Sequence, residues 1–416
     1  MSNMLYLTGK YANLLKRATV TVNPAALAAY PVAKRSDDDP STPMIYGSNG
    51  ANSWVNVVLT GLTNGNFESA LTTGWVDTSV PGGSATRVNT AGHVNSGTWG
   101  CDLVSASVSS YGEVRQLVSV SAGEYRQLGV FAKTISGTPS LNFVIVNQMT
   151  GRYWTGSTWT STPTGVAPTG TLSGAFSFFY VNYRVEDYDT CMADETAVYV
   201  YIRNSGAAAS TVAIDDAQDV PGVNFAGVIG HNIVPSSAAC VVRYDPSGAY
   251  SGGETVASTM TIARGLFYST FTMAYTSPWR VSVDGTNWTT PVIGELVLGQ
   301  YQSTSKPQWD LSVEYDMPGI VNTYQGRTST YNFTKDPIES LVMTTRSPTE
   351  ALAKEIIQSL WLRSGRGRYP SIIIPSDAET RMYYGHLEGP VTETRPPGRY
   401  VTSLRLRGSA LPNSNL

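Results

Sequence analysis

Three histidines, His93, His231 and His386, are the only imidazoles this chain offers for acid–base or metal chemistry. None stands in an H-E-x-x-H or other zinc-ligand spacing. No G-x-S-x-G elbow, P-loop or G-x-G-x-x-G turn occurs either. Hydrolysis of a glycosidic bond needs only two carboxylates about 5–10 Å apart. Glu186, Asp187 and Asp189 form an acidic cluster, but at a strand-to-loop junction they read as solvated. The run Asp37, Asp38, Asp39 reads as a polar turn. No catalytic residue emerges, and no enzyme is expected. Binding chemistry is better represented. Tyr153, Trp154 and Trp159, interleaved with Gly and Thr, offer flat rings that could stack on the apolar face of a pyranose. The same spacing fits a long hairpin whose rings pack on their own domain or on a neighbouring subunit, and both readings stay open.

Such residues need a scaffold, and composition says which kind. Charged residues make up 14% of the chain, against about 25% in a typical soluble domain. Gly (39), Pro (23) and Tyr (24) fill the space together with Ser, Thr and Asn. Abundant β-branched and aromatic residues, punctuated by turn formers every ten or so positions, predict a mainly β protein of jelly-roll or sandwich domains. One amphipathic helix is expected over 348–362. Ser347-Pro-Thr-Glu350 forms a capping box there, and Leu352, Ile356 and Leu360 recur at helical spacing. Cys101, Cys191 and Cys240 form neither a disulfide framework nor a metal set, which suggests folding in a reducing compartment. The first residues lack the basic and apolar regions of an export signal, and no run approaches the length of a membrane span. Basic residues are not clustered near aromatics, so no nucleic-acid partner is expected.

The segment 62–219 differs from what flanks it: it opens on Asn64-Gly-Asn-Phe-Glu68 with Gly74-Trp75 close behind, and closes on Ile214-Asp-Asp216. These elements resemble both ends of a carbohydrate-binding module of the jelly-roll type. In that family the opening Glu and a closing Asp commonly hold a structural calcium, so the resemblance implies Glu68 and Asp215 as two of its ligands. No cofactor is otherwise required.

The flanking pieces, 1–61 and 220–299, are expected to form one discontinuous domain into which the module is inserted. Tyr30-Pro31, Asp37 to Thr42, the 54–59 strand, Ala226 to Asn232 and Cys240 to Tyr244 resemble a discoidin-like jelly roll of the kind found in tailed-bacteriophage structural proteins. Met44-Ile-Tyr46 stands where that family has a tryptophan. Residues 300–416 are expected to form a β-rich lobe carrying the helix. The order resembles a phage distal-tail or minor tail protein. That resemblance implies a virion component made in the host cytoplasm, assembling with itself as a ring and with other virion proteins. The module would then project toward a host surface glycan or anchor a neighbour. A capsid decoration or head-to-tail connector protein is an alternative, as is an extracellular carbohydrate-binding protein.

Overall fold

The computed structural model describes residues 4–8, 13–23, 33, 44–45, 52–59, 61–186, 195–233, 238–246, 250, 252–262, 266–285, 292–304, 308–316, 319–324, 327–332, 338–347, 357–364, 366, 368–374, 382–394 and 400–408. The polar turn at 37–39, Tyr30-Pro31, Asp187, Asp189, Cys191 and residues 348–356 of the expected helix lie outside them. The chain is mainly β and divides into two units, Thr60–Gly222 and the remainder, Met1–Leu59 with Val223–Leu416. Among the described residues no helix is long and apolar enough to cross a membrane.

In chain order the strands begin with β1 (Met4–Thr8), β2 (Thr19–Asn23), β3 (Met44–Ile45) and β4 (Asn52–Val58). The 60–222 unit holds β5 (Val76–Asp77), β6 (Ser84–Val88), β7 (Gly100–Ser105), β8 (Gly112–Ser121), β9 (Tyr125–Ser136) and β10 (Leu141–Asn147). It continues with β11 (Tyr153–Trp154), β12 (Trp159–Thr160), β13 (Ser177–Arg184), β14 (Glu195–Asn204) and β15 (Ser210–Pro221). Then come β16 (Val223–His231), β17 (Ala238–Tyr244), β18 (Thr255–Met260), β19 (Leu266–Ala274), β20 (Trp279–Gly285), β21 (Val292–Gly299) and β22 (Gln302–Thr304). The last are β23 (Gln308–Asp316), β24 (Gly319–Tyr324), β25 (Arg327–Asn332), β26 (Ile338–Ser347), β27 (Pro370–Ile374), β28 (Tyr383–Thr394) and β29 (Tyr400–Gly408).

The 60–222 unit is a sandwich of two sheets, β12-β11-β10-β14-β8-β5 and β13-β9-β15-β7-β6. From β7 to β10, and again from β13 to β15, successive strands alternate between the sheets, which is jelly-roll connectivity. Period-2 alternation explains why these segments settle as half-buried strands. On β14, Val198, Val200 and Ile202 turn inward while Tyr199, Tyr201 and Arg203 turn outward. The inward sets of both sheets meet around Phe67, Trp75, Phe143 and Ile214, all nearly or fully buried. Each such side chain contributes roughly 1.5–3 kcal/mol by leaving water.

Where this unit begins and ends, the chain is pressed together. A Cβ on Gly61 would stand 1.8 Å from the Asp219 carbonyl oxygen, so no larger residue fits without displacing the outgoing strand. Buried beside it, Arg126 donates to Asp219 Oδ1 (3.0 Å), to the Asp219 carbonyl (3.0 Å) and to Glu124 Oε1 (2.8 Å). Tyr183 donates its hydroxyl to Asp219 Oδ2 at 2.8 Å. Burial pushes the Asp219 carboxyl up, opposed by the guanidinium and the phenol, and the two carboxylates hold Arg126 firmly charged.

The other unit stacks three sheets and a helical turn. The outer sheet β18-β17-β20-β4-β2 packs on the middle sheet β19-β16-β21-β3 through Val55, Val57, Val228, Trp279, Leu296 and Leu298. The middle sheet packs its other face on the seven-stranded sheet β22-β1-β27-β28-β29-β26-β23 through Phe225, Ile229, Val297, Leu5, Leu7 and Ile372. Strands β16 and β21 are buried at every position, mostly with apolar side chains, and Asn224, His231 and Glu295 are their buried polar members. The far face of the seven-stranded sheet receives Leu360 and Trp361. These belong to Ile357–Leu362, the described part of the expected helix, which is wound as a π-helix. A separate hairpin pairs β24 with β25.

One boundary differs from the sequence reading. Strand β1 does not join the sandwich of the first sixty residues; it lies between β22 and β27 in the C-terminal sheet. Its alternation sends Tyr6 to one core and Leu5 and Leu7 to the other. A five-residue alternation says that a strand exists, but not which distant strand it pairs with.

Candidate functional site

The opening motif of the 60–222 unit folds into a compact loop with positive φ at Asn64 and Phe67, both 54°. Asn64 steadies it. Its Oδ1 accepts from the Ser69 backbone N–H (2.9 Å), and its Nδ2 donates to the carbonyls of Ser69 and Ala70. Trp75 donates its indole N–H to the Asn64 carbonyl at 3.0 Å, and its ring stacks on Phe67 at 5.6 Å. The opening loop also meets the closing strand directly, because Ala217 N–H donates to the Gly65 carbonyl at 2.8 Å. A Cβ on Gly65 would lie 2.0 Å from the Ala217 carbonyl oxygen, so this approach requires glycine. The paired motifs at the two ends are therefore one structural latch.

Glu68 and Asp215 both grip the loop 93–99. Glu68 Oε1 accepts backbone N–H groups from Thr98 (2.6 Å) and Trp99 (3.0 Å), which hold its carboxyl below the ordinary carboxylate range. Asp215 Oδ2 accepts from Asn95 N–H (2.8 Å) and Ser96 N–H (3.0 Å), and its Oδ1 from Asp216 N–H (2.8 Å). Desolvation nevertheless pushes the Asp215 carboxyl up. His93 fixes the start of the loop through Nδ1 to Asp102 Oδ2 at 2.8 Å. Arg87 donates to the carbonyls of Phe67 (2.7 Å) and Glu68, with its guanidinium 3.7 Å from the Trp99 ring centroid. A calcium ion wants inward-facing oxygen lone pairs. Here three of the four carboxylate oxygens of the implied ligands face N–H hydrogens, and the neighbouring carbonyls face a guanidinium. Among the described residues no three His, Cys, Asp or Glu side chains gather as a metal set. This donor set does not fit a divalent cation.

The hairpin β11–β12 carries Tyr153, Trp154 and Trp159. Trp154 is 7% exposed and belongs to the sandwich core, and Trp159 packs on that core from its edge. Their indole N–H groups donate to successive outward carbonyls of edge strand β13: Trp154 to Asn182 (3.2 Å) and Trp159 to Arg184 (2.9 Å). Arg152 pairs with Glu186 at 2.7 Å and donates to the Trp159 carbonyl. The hairpin thus staples the β12-to-β5 sheet to the open edge of the other sheet, where unpaired backbone groups would otherwise face water. Tyr153 is half-buried, registered with Val146 and, through it, with Tyr199. The three rings do not share one exposed plane.

A different aromatic group does lie open. Antiparallel register pairs Phe178 with Phe131, Tyr180 with Gly129, Asn182 with Gln127 and Arg184 with Tyr125, all on the outer face of β13 and β9. Phe178 stands 5.2 Å from Phe131 and stacks on Tyr180 at 5.9 Å with a 24° interplanar angle. Gly129 makes this possible. A Cβ there would meet the Phe178 ring at 2.3 Å, so the missing side chain is what lets the ring lie across the strand. Next along the face, Gln127 Nε2 donates to Asn182 Oδ1 at 3.0 Å. The Arg184 guanidinium lies over Tyr125 at 5.3 Å. Tyr125 and Tyr180 are each 37% exposed. A row of accessible rings beside an amide pair offers stacking surface and directional hydrogen bonding together. Sequence reasoning missed this face. Its signals are the alternating Phe178-x-Tyr180 on one strand and the single Gly within the otherwise bulky run 125–136.

No described protein family and no curated protein matches the chain. Solved structures give partial overlaps. The tailspike protein 4 enzymatically active domain of bacteriophage CBA120 aligns at 17% identity, over 39% of this chain and 21% of that one, with a TM-score of 0.28. The CBM22-1 xylan-binding domain of Paenibacillus barcinonensis Xyn10C aligns at 13% identity over 39% of this chain and 94% of that one, TM-score 0.28. TmCBM61, solved with β-1,4-galactotriose, aligns at 13% identity over 39% and 98%, TM-score 0.26. Scores of this size carry no functional weight, and the geometry of the β9–β13 face has to stand by itself.

Proposed function

We propose that this chain is an assembly protein of a bacteriophage tail or tail tip whose inserted sandwich contacts a glycan through the β9–β13 face. The observation that carries the glycan reading is the ring row Phe131, Phe178 and Tyr180 lying beside the Gln127–Asn182 amide pair. Flat rings accept the C–H faces of pyranoses, and the remaining amide and phenol groups fix the sugar's orientation. In this reading the chain acts by binding and assembly rather than catalysis, with the 1–59 and 223–416 unit making the contacts of a homo-oligomeric ring. What supports the tail placement is the sequence resemblance of the flanking pieces and their charge-poor, Tyr-rich composition, which suits subunit packing.

A glycan array probed with the full chain, then with Phe178→Ala and Tyr180→Ala, tests the binding surface. Each substitution is expected to weaken binding about tenfold, or ~1.4 kcal/mol, at an unchanged melting temperature. An array without hits, or hits indifferent to both substitutions, sinks the glycan reading. Native mass measurement tests the ring, and a monomer at micromolar concentration removes it.

A further inference from the structure

We infer that the guanidinium of Arg87 takes the place of a divalent cation at the junction of the opening motif, the closing strand and loop 93–99, so that the 60–222 unit holds its shape without metal. Three observations converge. First, three of the four carboxylate oxygens of Glu68 and Asp215 are already engaged by hydrogens: two backbone N–H groups on Glu68 Oε1, two on Asp215 Oδ2 and one on Asp215 Oδ1. A metal bound through those three oxygens would compete with five N–H groups whose positive ends already point at them. Second, the backbone carbonyls of Phe67 and Glu68 are taken by the fork of Arg87, whose charge adds a minor pull on the Glu68 carboxylate. Planar guanidinium donors suit two adjacent acceptors better than an ammonium would. Third, the guanidinium is held in place by the Trp99 ring at 3.7 Å, and Trp99 is itself tied by its N–H to Glu68. Arg87, Trp99 and Glu68 therefore close a ring of mutual contacts. The loop's tight path also depends on Gly97, at φ 68°, where a Cβ would meet Glu68 Oε1 at 2.1 Å. The carboxylate is drawn in against the loop backbone, where bound metal would have to separate the two.

The test uses the full chain, stripped with EDTA and then given millimolar calcium chloride. The melting temperature is expected to stay the same in both solutions, and calorimetric titration with calcium chloride to show no saturable heat. A calcium-dependent rise in melting temperature, or a saturable titration, overturns the inference. In EDTA, Arg87→Ala is expected to speed amide hydrogen exchange at Asn95, Ser96, Thr98 and Trp99 by about tenfold or more, the scale of a lost charge-assisted hydrogen bond. Should the alanine variant fail to fold, Arg87→Lys keeps the charge but loses the fork, and the same amides should speed up by a smaller factor. Unchanged exchange in the variant that folds overturns the role given to Arg87. None of these readouts involves glycan, so they stand or fall separately from the proposed function.

Discussion

Trp154 and Trp159 lie one strand edge away from Phe178 and Tyr180, and the backbone of β13 belongs to both groups. The tryptophans spend their polar N–H groups on the β13 carbonyls and their rings on the core edge. Phe178 and Tyr180 project from the same strand's outer face, where a glycine across the ladder keeps the space flat. Both groups are aromatic; what lies beneath each ring, and the indole N–H of the tryptophans, separates them. A large ring in a Gly- and Thr-rich loop looks available, yet an indole near an open sheet edge finds carbonyls to satisfy. A ring in a regular strand looks like half of a core alternation, yet every strand has an outer face as well.

Three substitutions press on that contrast, the strongest first. Trp154→Ala should cost about 3–5 kcal/mol of stability, the usual range for emptying a buried large aromatic site, measurable as a fall in the chemical denaturation midpoint. If the variant instead keeps its stability and loses glycan binding, the roles assigned to the two groups are reversed. Gly129→Ala should leave stability within about 1 kcal/mol, because the half-exposed Phe178 ring can swing aside, while glycan affinity falls about tenfold, or ~1.4 kcal/mol. A crystal structure of that variant with Phe178 unmoved would break the account of the platform. Trp159→Phe keeps an aromatic ring but removes the hydrogen bond to the Arg184 carbonyl. It should cost about 1 kcal/mol, read as faster hydrogen exchange along β13 with glycan affinity unchanged.

The mainly β architecture was legible because alternation and turn chemistry are local properties. Stretches such as Val198-x-Val200-x-Ile202 say both that they are strands and which side is buried. Within β16 the stretch Phe225 to Gly230 is apolar at successive positions, which fits burial on both faces. Pairing partners were less visible, and β1 shows why: five residues carry no record of a sheet assembled some 370 residues later. The end motifs were visible as residues but not as contacts. The resemblance implies Glu68 and Asp215 as ligands for an ion, while Arg87, which bonds the same loop, lies in a short strand with nothing in its immediate sequence to mark it. Only its two bonds to the opening loop's carbonyls reveal its part. The aromatic face of β9 and β13 is not legible in the sequence because it is made by cross-strand register between residues some fifty positions apart.

The neck of the 60–222 unit has a consequence of its own. With Gly61 pressed against Asp219, and Arg126 bonding that residue through both side chain and backbone, the two chain ends leave side by side, fastened from within. Any polypeptide that accepts such a unit has to provide no more than one surface turn wide enough for two adjacent strands. The unit is therefore transferable in the manner of a cartridge. Exchanging everything between that glycine and that aspartate for another sandwich with touching ends would replace the whole outer surface of the unit while leaving the flanking chain's own pairing rules untouched.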